Sequence, residues 1–168
     1  MMTPLILVLA ISTDPMVSPV KELEPLAFLV GRWKGQGEAP GIGKYTDEFL
    51  YEWNPTKTFL KNRYTMTKDG ATVWTDDSVI GFDSEKKVLV GHTFGVDGSM
   101  GRGEWQKSDN PKIHIIEGKT IGNSPFKEWK ITMSSESDTK MTVKTEVKEK
   151  QKWTVIMTST YEKVPDSK

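Results

Sequence analysis

The chain has 168 residues, 36% of them apolar and six of them tryptophan, which is enough for one substantial core in a single domain. Its 23 basic and 23 acidic residues cancel, so whole-chain charge gives no reason to expect nucleic acid or an anionic membrane as a partner. The lack of cysteine excludes disulfides, thiolate ligands and Cys nucleophiles, while leaving the redox compartment open.

Residues 1–19 read as a separate segment. Leu5 to Ile11 is continuously apolar but too short to span a bilayer, and Thr13-Asp14-Pro15 and Ser18-Pro19 then break the pattern. Two readings stand side by side: a signal peptide processed near Ala10–Ser12, though without a positively charged start, or a disordered tail. The expected location is correspondingly exported or cytoplasmic, with no integral membrane segment. Residues 20–165 are read as one domain.

Within Val20 to Leu29, Leu23, Leu26 and Leu29 recur at helical spacing, Pro25 suits a first turn, and Gly31 stops the element. This predicts a short helix or 3₁₀ turn that closes one end of the fold. Turn signals follow at Pro40-Gly41, Asn54-Pro55, Asp69-Gly70, Asp83-Ser84, Asp97-Gly98, Asp109-Asn110-Pro111, Gly122-Asn123, Ser137-Asp138 and Glu149-Lys150. They separate ten candidate strands, near 31–39, 44–53, 58–67, 72–82, 87–95, 99–107, 112–119, 126–135, 140–148 and 152–162. Short, evenly spaced strands joined by hairpin turns predict an all-β, antiparallel meander barrel of about ten strands.

Alternation then assigns faces. Met141, Val143, Thr145 and Val147 point one way and Lys140, Thr142, Lys144, Glu146 and Lys148 the other, so the lysine stripe reads as solvent face. The next strand gives Trp153, Val155, Met157, Ser159 and Tyr161 as an inward series, and the preceding one gives Trp129, Ile131 and Met133. In the N-terminal half, Tyr45, Asp47, Phe49, Tyr51 and Trp53 share a parity, as do Leu60, Asn62, Tyr64 and Met66. Trp74, Asp76, Ser78, Ile80 and Phe82 mix apolar and polar groups on one face. Such mixing suits a cavity more than a dry core, because a buried polar group needs a partner, water or ligand to offset its desolvation.

Leu26-Ala27-Phe28-Leu29-Val30-Gly31-Arg32-Trp33-Lys34-Gly35, followed by an aromatic and acidic strand and Gly-bounded hairpins, resembles the calycin-type barrels. The likeness is to the bacterial lipocalin-like family named domain-of-unknown-function 1579 and, more distantly, to the nitrobindin-like barrels. The first resemblance implies an apolar-pocketed barrel with Trp33 at its closed end. Gly31 would let the backbone pack closely on entering the first strand, and Trp33 would plug the floor. The nitrobindin likeness implies haem held by an axial histidine late in the barrel. His92 and His114 are the only histidines and neither lies on the last two strands; His92 shares parity with Val88, Val90 and Phe94, making it the haem-ligand candidate.

Other chemistries find less support. Zinc would need carboxylates from distant strands to join the two histidines, and no Gly-x-Ser-x-Gly elbow occurs. Asp76 and Asp77 are adjacent and so face opposite ways; Asp76 is expected to pair with Arg63 or His92. Arg102, between Gly101 and Gly103, is a candidate for binding a ligand carboxylate or phosphate at the mouth. The leading expectation is a noncatalytic, cofactor-free barrel that binds a small hydrophobic or amphipathic molecule. Its expected wall is Tyr51, Asn62, Tyr64, Trp74, Phe94, Trp105, Trp129, Met133, Trp153 and Met157. The alternatives are a barrel filled by its own side chains and a cyclase- or isomerase-type barrel enzyme using an Asp, Tyr or His as proton donor. Closure of the sheet and the lysine-rich 140–148 exterior predict a monomer or weak homodimer.

Overall fold

The computed structural model describes residues 20–122, 124 and 126–165; the proposed leader at 1–19 lies outside them. A 3₁₀ helix, Lys21–Leu29, is followed by ten strands: β1 Gly31–Ala39, β2 Gly43–Trp53, β3 Leu60–Lys68, β4 Ala71–Asp83, β5 Val88–Gly95, β6 Met100–Gln106, β7 Ile113–Ile121, β8 Glu128–Ser137, β9 Lys140–Glu149 and β10 Lys152–Lys163. Each strand pairs antiparallel with its sequence neighbour, and β1 pairs with β10 to close the barrel. Among the described residues no edge strand is left to template association.

The leucines explain the helix type. Leu23, Leu26 and Leu29 are each three residues apart, and only a three-residue turn stacks such positions on one line. All three are fully buried, each contributing about 1.5–3 kcal/mol of apolar burial. They pack with Trp33, Tyr51, Leu60, Ile80, Ile116, Met133, Met141, Val143 and Tyr161 into one core across the lower end of the barrel.

Trp33 is fully buried in that floor, and its indole Nε1 donates to the Leu29 carbonyl at 2.8 Å. Lys163, from the end of β10, donates to the Phe28 carbonyl at 2.9 Å and places its Nζ 5.4 Å from the Trp33 ring centre. Gly31, at φ +118°, makes the bend between helix and β1, where a Cβ would also stand 3.0 Å from the Lys163 side chain.

Two irregularities redirect side chains near the opposite end. Between β3 and β4 the register steps past Val73, and between β9 and β10 it steps past Ile156. Each inserts one residue on one strand, which reverses the inward–outward parity beyond it.

Candidate functional site

Above the floor, the barrel encloses a cavity of about 960 Å³ that opens at the end carrying the β1–β2, β3–β4, β5–β6, β7–β8 and β9–β10 connections. Its lower wall carries Tyr51, Ile80, Ile116, Met133 and Val143, which also belong to the core, so the floor of packed side chains passes directly into the wall of the cavity. Much of the remaining wall is built from indoles laid over glycines. Trp105 covers Gly91, Trp74 lies against Gly95, and Trp129 lies across Gly101, Gly103 and Gly118. A Cβ at Gly103 would stand 2.5 Å from Trp129 Cη2 and 2.8 Å from Ile116 Cγ2. The inner face of β5, β6 and β7 is therefore glycine-rich because it receives flat rings from its neighbours.

Polar groups divide into a set hydrogen-bonded around Asp47 Oδ2, where Asp47 Oδ1 lacks a partner among the described residues, and an open set. Asp47 is buried and accepts hydrogen bonds from Tyr64 at 3.2 Å, from Ser159 at 3.1 Å and from Tyr161; Tyr45 and Ser159 hydroxyls meet at 2.8 Å. Burial drives the Asp47 carboxyl upward against the lowering effect of its three donors. The same carboxylate adds to burial in raising the phenols of Tyr64 and Tyr161. Gly35 and Gly37 of β1 make room for this cluster, since a Cβ at either would stand 2.5 Å from one of its oxygens.

The open set faces the cavity. Asp76 Oδ2 accepts from Trp74 Nε1 at 3.0 Å, and burial pushes this carboxyl up to about 6. Ser78 and Thr93 hydroxyls pair at 2.8 Å. Asn62, only 7% exposed, has no partner for its Nδ2, and the buried Trp105 Nε1 likewise has none among the described residues. Leaving a buried donor unpaired costs about 1–3 kcal/mol, so each atom has something to gain from an acceptor that reaches it.

Of the residues expected in the wall, Tyr51, Asn62, Tyr64, Trp74, Trp105, Trp129, Met133 and Met157 line the cavity. Four other expected orientations are corrected. Inward-facing β5 residues include Gly91, Thr93 and Gly95, so Phe94 is turned outward and 49% exposed, and His92 stands exposed on the outer face opposite Val79 and Arg102. An imidazole there does not reach a group held inside. Arg102 is outward because Gly101 and Gly103 face in; its guanidinium pairs with Glu104 at 2.7 Å. The bulge at Ile156 turns Trp153 outward, where Lys130 and Lys148 cover its ring at 4.6 and 5.8 Å, while Thr154 takes the inward position.

The expected Asp76 pairing is also corrected. Arg63 pairs on the outer surface with Asp77, Nε to Oδ1 at 2.8 Å, and Asp76 has no cationic partner among the described residues. His114 stacks on Phe28 beside the helix, with ring centres 5.1 Å apart, and burial lowers its pKa. Thr93, Thr154 and Ile156 line the cavity without having been expected there. The parity of Gly91, Gly95, Gly101 and Gly103 is the sequence signal that would have exposed the true inner face of β5 and β6.

No family model matches the chain, and no curated protein matches it. Among solved structures it is similar to the crystal structure of Rv2717c from M. tuberculosis, with a TM-score of 0.70, 14% sequence identity, and coverage of 88% of this chain and 100% of that one. At that identity the likeness is one of fold alone, and the fold here is a closed ten-stranded antiparallel barrel.

Proposed function

We propose that this barrel is a binding protein for a small hydrophobic or amphipathic molecule, taken up through the open end and held against the indole and methionine wall. The observation that carries this reading is the coincidence of a cavity of about 960 Å³ with two lining residues, Asn62 and Trp105, whose buried Nδ2 and Nε1 donors are unpaired among the described residues. A self-filled barrel gains nothing from orphaned donors, whereas a ligand acceptor supplies what they lack. The volume lies within the range of small-molecule sites, about 300–1,000 Å³.

Exposed apolar residues support entry at that end. Val73, Val96, Met100, Ile121, Phe126 and Val155 are all exposed and stand around the mouth. Native mass spectrometry after gentle purification tests the reading. A retained apolar molecule, or stoichiometric uptake of an added long-chain alcohol, is the expected result. A protein that stays unliganded across a series of such alcohols contradicts it.

A further inference from the structure

We infer that the cavity selects an apolar molecule ending in a protonated amine, held by Asp76, over one ending in a carboxylate. This inference rests on the cavity being a binding site and concerns the charge of what it takes. The formally charged residues lining it are Asp76, Asp97 and Glu149, and no Lys, Arg or His lines it among the described residues.

Several basic side chains of the surrounding strands are engaged outside. Arg63 is paired with Asp77, Arg102 with Glu104, Lys130 and Lys144 with Glu146, and Lys148 with Glu128. An incoming carboxylate would give up its water shell beside Asp76 with no cation to receive it. A protonated amine would instead pair with the Asp76 carboxylate, which has no cationic partner among the described residues.

Asp97 and Glu149 lie toward the mouth, in the β5–β6 connection and at the end of β9, so the charged residues lining the cavity there carry the same sign. Asp76 sits below them, across from Tyr64 on β3 and Gly95 on β5, with Trp74 fixing one oxygen. Independently of these acids, Asn62 is more than nine-tenths buried, lines the cavity and has an unpartnered amide nitrogen. That donor marks the interior as built for a polar-atom-bearing ligand, and being uncharged it does not compensate an anion.

Three probes with the same chain, decylamine, decanoate and decanol, separate charge from apolar fit when titrated by calorimetry at about pH 7.5. The expected result is decylamine binding at least about tenfold tighter than decanoate. Asp76→Asn, which keeps an oxygen for Trp74, should weaken decylamine about tenfold and leave decanol unchanged. Asp77→Asn removes the neighbouring outward charge and should change none of the three. Equal or tighter binding of decanoate, or an unaltered decylamine-to-decanol ratio in Asp76→Asn, overturns the inference while saturable decanol binding leaves the cavity reading standing. If none of the probes saturates, both fall. A carbon-detected titration of Asp76 in the unaltered protein gives a second readout: decylamine should lower its midpoint, and a midpoint it does not move also overturns the inference.

Discussion

Two tryptophans on the paired strands β1 and β10 show how burial, and not residue type, sets what a side chain contributes. Trp33 is fully enclosed and hydrogen-bonded to Leu29, so Trp33→Ala should cost about 3–5 kcal/mol in urea denaturation. Trp153 lies on the outer face beneath two lysines, where such contacts are worth about 1 kcal/mol, and Trp153→Ala should cost no more than roughly that. Equal losses would refute the inward–outward assignment. Asp76 gives a prediction in pH. Its folded carboxyl is raised to about 6 from 3.8, so the native state holds its proton more tightly than the unfolded chain. Its stabilising share is complete below the unfolded value and lost as pH rises through about 6, leaving a buried charge that costs about 3 kcal/mol. Asp76→Asn should therefore be more stable than the parent at pH 8 and indistinguishable from it below pH 4. An unchanged difference across that range would show that Asp76 is solvated.

The strands were legible from their turns, and their faces were legible wherever large side chains alternate without interruption. Met141, Val143, Thr145 and Val147 on β9 do so, with their lysine neighbours outside. On β5, Gly91 and Gly95 occupy inward positions and carry no side chain to reveal them, so Val90, His92 and Phe94 mimic an inner row. On β10 a single extra residue at Ile156 reverses the parity, and nothing in the local composition announces it. The first failure concerns side chains borrowed from elsewhere: the glycines make sense only once Trp105, Trp74 and Trp129 are seen lying over them. Gly103→Ala tests that arrangement. The added methyl must displace the Trp129 ring, and thermal or urea unfolding should show a loss of about 1–3 kcal/mol, together with a changed indole near-ultraviolet signal. A neutral substitution with an unaltered signal would mean that the ring is free to move.

The ends of the barrel differ as the parts that form them differ. A leucine-striped 3₁₀ helix and Trp33 seal the floor, while the mouth is ringed by exposed apolar residues and leads to a wall of indoles and unpaired polar atoms. Because β1 pairs with β10, no strand edge is open, and sedimentation over a concentration series should give a monomer or a weak dimer; a stable larger assembly at micromolar concentration would contradict this. Interior binding is tested most directly by titrating a neutral, environment-sensitive alkyl fluorophore into the parent protein, Met157→Trp and Lys144→Ala, each confirmed as folded. Met157 lines the cavity and Lys144 pairs with Glu146 outside it. The account predicts saturable binding of one probe per chain that is lost or weakened at least about tenfold when Met157→Trp fills the cavity and is unaltered in Lys144→Ala. Saturable binding that Met157→Trp leaves unchanged would place the probe elsewhere and contradict the account.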